Sequence, residues 1–111
     1  NTSMGEREFL IYLDPATRTC RYRHYHVSQG QKIVEFRIQL EIIVAGIWYA
    51  VVRYDTAHAR PHRDILHPNG SQTKEWLNGY STSGALTFGQ RDIMKNWQMY
   101  RSRFLKEMNY E

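Results

Sequence analysis

Val34-Glu35-Phe36-Arg37-Ile38-Gln39-Leu40-Glu41-Ile42 alternates apolar and polar side chains without a break, and Ala45-Gly46 then leads into Ile47-Trp48-Tyr49-Ala50-Val51-Val52-Arg53-Tyr54-Asp55. A period of two sends Val34, Phe36, Ile38, Leu40 and Ile42 to one side of a strand and the charged residues to the other. One side is therefore core and the other solvated, the pattern of an antiparallel sheet covered on a single face. Ala45-Gly46 is short enough for a two-residue hairpin turn, so strands are predicted over 32–44 and 47–55.

Working outward, Glu8-Phe9-Leu10-Ile11-Tyr12-Leu13 reads as a strand over about 8–13, closed by Asp14-Pro15. Another follows over about 18–27, with Cys20, Tyr22, His24 and His26 on one face and Arg21, Arg23, Tyr25 and Val27 on the other. Residues 1–5 are expected to form a disordered tail. Beyond Thr56 a short fifth strand near Asp64 to His67 is one option, while Ser71 to Leu77 fits either an extended or a helical segment. Asn78 to Gly84 reads as a loop. Thr87 and Gln90 have capping-box spacing ahead of a helix over about 88–108, whose Ile93, Trp97, Tyr100, Phe104 and Met108 fall on one stripe. The expected fold class is α+β, an antiparallel four- to five-stranded meander with a long C-terminal helix packed on one face, forming one domain over 1–111.

The 111 residues suffice for one core, and the three Trp and eight Tyr supply much of its area. No run approaches the ~18 apolar residues of a membrane span, and the N-terminus lacks the pattern of a secretory signal, so a cytoplasmic protein without membrane contact is expected. A lone cysteine, Cys20, excludes an internal disulfide and a Cys-rich zinc site, and reads as a small buried hydrophobe. The formal charge of +4 permits contact with nucleic acid or an acidic partner. P-loop, dinucleotide-binding and serine-nucleophile motifs are absent.

Chemistry-bearing residues concentrate between Arg53 and Pro68. Arg53, Asp55, His58, His62, Arg63, Asp64 and His67 crowd together there. With an uninterrupted two-residue hairpin, Arg53 falls opposite Ile38 and Asp55 opposite Phe36, so both are expected to turn toward the apolar face. They would either pair to close the sheet end, or Arg53 would grip phosphate while Asp55 orients a histidine. His58 and His62 are acid–base candidates because an ordinary histidine pKa suits proton transfer near neutrality. Pro61 breaks helical spacing, and although Asp55 or Asp64 could complete a metal site, the spacing is not diagnostic, so no metal and no cofactor are assigned. His24 and His26, with Tyr22, would join the site if the second strand brings them to it. The substrate-binding candidates are thus Arg53, Tyr54, Arg63, His67, His24 and His26.

The runs Trp48-Tyr49-Ala50-Val51-Val52-Arg53-Tyr54-Asp55-Thr56-Ala57-His58 and His62-Arg63-Asp64-Ile65-Leu66-His67-Pro68-Asn69-Gly70, with Ala85-Leu86-Thr87-Phe88 and Asn96-Trp97, resemble a small prokaryotic domain family of unknown function. Arg53-Tyr54-Asp55 followed by His58 and His62 is more distantly similar to TumE-type toxins of toxin–antitoxin pairs. That resemblance implies a toxin-like protein directed at RNA, a metal-independent ribonuclease in its strongest form, with RNA and a cognate antitoxin or other protein as partners. A non-catalytic module binding protein or nucleic acid, and a metal-dependent hydrolase, are the other two classes.

Overall fold

The computed structural model describes residues 3–56 and 60–110. Within these residues six strands form one antiparallel sheet in chain order: β1 (Met4–Tyr12), β2 (Cys20–Gln29), β3 (Lys32–Val44), β4 (Ile47–Asp55), β5 (His62–Leu66) and β6 (Gln72–Trp76). Among the described residues a single helix, α1 (Thr82–Glu107), packs on β3 and β4. The fold is α+β, with one strand more than the expected maximum of five.

The extra strand is β6, where Ser71 to Leu77 had been open between two conformations. All five of its residues are exposed, so no buried apolar alternation marks it. It forms because Gly70 adopts φ +89°, and Asn69 Oδ1 accepts from Ser71 N at 2.9 Å, turning the chain back along β5. Two other boundaries move. Met4 and Gly5 are paired with Gln29 and Ser28, so the expected tail over 1–5 is strand from Met4 onward. Helix α1 starts at Thr82 rather than near Phe88, because Ser81 Oγ accepts from Gly84 N at 3.0 Å and caps it, leaving Thr87 inside the helix. β2 begins at Cys20 because Arg18 sits at φ +53°, outside extended backbone.

Ile38, Leu40, Ile42, Val52, Tyr54, Ile93 and Phe104 form the core between sheet and helix, with Cys20 fully buried beside them. Gly89 lets α1 approach. A Cβ there would stand 2.7 Å from Tyr54 Cγ and 3.0 Å from Ile38 Cδ1.

The Ala45-Gly46 turn is as expected, with both residues at positive φ, the geometry that matches strand twist. The register beyond it is not. A bulge between Leu40 and Glu41 leaves Val51 as an extra residue of β4, since Glu41 faces Ala50 while Leu40 faces Val52. An extra residue inverts the facing of everything after it. Arg53 therefore lies opposite Gln39 and Asp55 opposite Arg37, which corrects the expected pairing with Ile38 and Phe36. Tyr54 takes the core position opposite Ile38.

Candidate functional site: the open face of the sheet

The bulge delivers Arg53 and Asp55 to the face that α1 does not cover. β5 meets β4 there in antiparallel register, with Arg53 opposite Asp64 and Asp55 opposite His62. Residues opposite one another share a face, so these four side chains form a compact square. Arg37 and Gln39 of β3 extend it on one side, Lys74 and Trp76 of β6 on the other.

The acids lie low in this face. Glu41, Asp55 and Asp64 are all buried, and each is held by a neighbour. Glu41 accepts from Arg21 Nε at 2.6 Å, Arg23 Nε at 2.8 Å and Gln39 Nε2 at 2.5 Å. Burial pushes the Glu41 carboxyl up, but these donors outweigh it and hold the pKa below the ordinary value. Asp55 accepts from Arg37 Nε at 2.8 Å.

His62 is only 2% exposed, with Nε2 3.2 Å from Asp64 Oδ2 and Nδ1 3.3 Å from the Arg60 carbonyl. Its ring meets that of Trp76 edge-on at 5.4 Å. Asp64 Oδ1, also buried, has no hydrogen-bond partner among the described residues.

The cations stand higher. The Arg37 side chain is 59% exposed and that of Arg23 40%. Arg53 lies on β4 beyond both, in one row with Gln39 and Arg23, donating from Nε to Gln39 Oε1 at 2.8 Å, and among the described residues it makes no ion pair. Burial pulls its pKa below the ordinary arginine value and the Arg37 charge adds to this, while Asp55, Asp64 and Glu41 offset part of it. At two corners of the face a guanidinium stacks on tryptophan, Arg21 on Trp48 at 3.7 Å and Arg60 on Trp76 at 4.2 Å.

The other sequence candidates do not converge on this square. His58 lies outside the described residues. His24 and His26 face the helix, where Tyr22 Oη is 2.7 Å from His24 Nδ1 and His24 Nε2 is 2.6 Å from His26 Nδ1. Burial, then the charges of His26 and Arg7, lower the His24 pKa to about 4, so a neutral imidazole is stacked on Phe9 at 4.4 Å. The expected convergence of His24 and His26 with the Arg53–His67 segment fails because alternation puts them on the opposite side of the sheet. His67 is elsewhere again, between Glu107 Oε1 at 2.8 Å and Thr73 Oγ1 at 2.9 Å near the helix end.

Tyr54 and Arg63 are brought together, but on the covered face. Tyr54 Oη and Tyr100 Oη donate to Asp92 Oδ2 at 2.6 and 2.5 Å, and Asn96 Nδ2 donates to Oδ1 at 2.8 Å. Arg63 Nη1 donates to Tyr100 Oη at 3.1 Å and lies 3.6 Å from Asp92, while Nη2 reaches Glu75 at 2.6 Å. Burial raises the Asp92 pKa, but the three hydrogen bonds and the Arg63 charge bring it below the ordinary carboxylate value. Tyr100 is pushed up to about 12 by burial and by its bond to Asp92. Asp92 and Tyr100 are absent from the sequence candidates. The available signal was the Asp92-Asn96-Tyr100 spacing of four, one helix face, with Tyr100 already on the core stripe.

Among the described residues no three His, Cys, Asp or Glu side chains stand close enough together to hold a metal ion. No described helix is long and apolar enough to cross a membrane.

Fold and site thus define a meander sheet with one helix-covered face and one open, charged face. The chain belongs to the family described as Domain of unknown function (DUF7718), whose model matches residues 4–110. No curated protein and no solved structure matches it, and none of the comparisons links it to TumE-type toxins.

Proposed function

We propose that this protein binds RNA on the open face of its sheet, as a binding module centred on Arg53. The observation that supports this reading is the state of Arg53 itself. It is a half-buried guanidinium beside Arg37, with its positive charge disfavoured by both burial and that neighbour, and without a carboxylate in ion-pair contact among the described residues. A phosphate arriving there gains two charge-assisted hydrogen bonds and relieves the repulsion, and Arg37 and Arg23 stand exposed to take adjacent phosphates.

Fluorescence anisotropy with labelled RNA across about 50 to 200 mM salt tests it. Wild-type binding should weaken steeply with salt, and Arg53→Ala should bind more weakly with a log K against log salt slope smaller by about one. Undetectable wild-type binding, or an unchanged Arg53→Ala variant, contradicts the reading.

One observation favours the stronger, ribonuclease reading: the buried His62–Asp64 pair beside Arg53 resembles an oriented acid–base group. Both ring nitrogens of His62 are occupied internally, so turnover would require the ring to leave Arg60 or Asp64. Growth arrest on expression, relieved by His62→Asn, would support a toxin that cleaves RNA and is silenced by an antitoxin partner. Arrest that persists in the variant would leave binding as the activity.

A further inference from the structure

The open face has a direction. Its β1 rim carries Glu6 and Glu8, with Glu35 nearby on β3, all exposed, and Tyr25 at that rim is tied to Glu6 by a 3.1 Å hydrogen bond. A polyanion is repelled there. The opposite rim is cationic and aromatic: Trp76 is 40% exposed, Arg60 lies over its ring at 4.2 Å and Lys74 Nζ at 5.3 Å. Trp76 shares a row across the strands with His62, Asp55 and Arg37, while Arg53 lies in the next row, two strands away or ~10 Å in the hydrogen-bonding direction.

Resting on the RNA-binding reading above, we infer that the ligand is a single strand rather than a duplex, with one base stacked on Trp76 while its backbone crosses Arg53 and Arg37. The Arg60 guanidinium, planar and cationic, occupies a tryptophan face that a base can take, and the released arginine can then pair with phosphate. A base reaches Trp76 only when it is unstacked from a partner strand. An A-form duplex keeps its bases inside and its major groove is too deep and narrow for side chains to read. The six strands moreover present a broad surface, with the cations spread across it rather than projecting from one element that could follow a groove.

The test compares the full chain binding a labelled oligouridine of about eight nucleotides with a duplex of the same length at low salt. Three variants, Trp76→Ala, Trp76→Phe and Arg53→Ala, are run beside wild type. The single strand should bind at least about tenfold more tightly than the duplex. Trp76→Ala should weaken single-strand binding by about tenfold without altering the salt slope, whereas Trp76→Phe should keep most of the affinity. Arg53→Ala should reduce affinity and slope together.

Equal affinity for duplex and single strand, with the Arg53 effect intact, overturns the single-strand inference and leaves the RNA-binding reading standing. Single-strand preference with an unaffected Trp76→Ala variant overturns the stacking site. Failure of wild type to bind either probe overturns both the inference and the reading it rests on. Circular dichroism of Trp76→Phe checks that edge-strand packing survives.

Discussion

Tyr54 and Arg53 are neighbours on β4, yet they serve two polar clusters of opposite character. On the covered face Asp92 accepts from Tyr54, Tyr100 and Asn96 and is flanked by Arg63, so each of these groups answers another. On the open face Glu41 and Asp55 are also answered, but Asp64 Oδ1 has no hydrogen bond and Arg53 no ion pair among the described residues. A closed polar network mainly fixes a structure. A half-buried cation without a direct ion-pair partner costs stability unless something outside supplies one. The difference teaches where to look for a ligand. Perturbed pKa values occur on both faces, so they do not locate it; incomplete pairing does.

The comparison depends first on the bulge at Val51. Inserting one alanine between Val52 and Arg53 would undo the register that the bulge sets, placing the alanine opposite Gln39 and turning Arg53 and Asp55 toward α1, into the space filled by Tyr54. Burying those charges without prepared partners costs several kcal/mol, which exceeds what a domain of this size can spare. The insertion variant should fail to give a cooperative thermal transition. A well-folded variant would show that the two faces are interchangeable.

The covered network comes next. Asp92→Ala strands two tyrosine hydroxyls and removes a counter-charge from Arg63, and should cost about 3 to 4 kcal/mol in urea denaturation. RNA affinity of the folded fraction should not change. A cost under about 1 kcal/mol would mean that water replaces the carboxylate, and that the covered face is less closed than its geometry implies.

His24 supplies a pH test of the same face. Its pKa is about 4 when folded and 6.5 ordinarily, so the unfolded chain binds the proton first as pH falls. The stability contribution is complete above about pH 6.5 and is lost on the way down to about pH 4, amounting to roughly 2 to 3 kcal/mol. His24→Gln should flatten that part of the stability–pH curve. An equally steep curve in the variant would assign the effect to another group.

Arg53→Ala should have the smallest effect on folding. Removing a half-buried, unpaired guanidinium also removes its desolvation cost, so stability should shift by less than about 1 kcal/mol while RNA binding falls. A destabilisation matching that of Asp92→Ala would place Arg53 among the structural residues.

Much of the scaffold was legible in the sequence. The alternation from Val34 to Ile42 and the Ala45-Gly46 turn identify β3 and β4, and the Ile93-Tyr100-Phe104 stripe identifies the helix face that covers them. β6 was not legible because a strand exposed at every residue has no apolar period to read. The facing of Arg53 and Asp55 was misread for a different reason: a bulge is a property of pairing between strands, and nothing local in Trp48 to Val52 marks Val51 as the extra residue. Alternation separates the Arg53-to-Pro68 segment into two sites, and that one residue decides which of them faces α1. Asp55, His62 and Asp64 join Arg53 outside, while Tyr54 and Arg63 go to Asp92.

The most direct test follows arginine Nε–Hε resonances in a 15N-labelled sample titrated with single-stranded RNA. Arg53 and Arg37 should shift progressively to saturation while Arg63, on the covered face, stays in place. Movement of Arg63 with Arg53 and Arg37 unmoved would contradict the assignment of the open face as the RNA-binding surface.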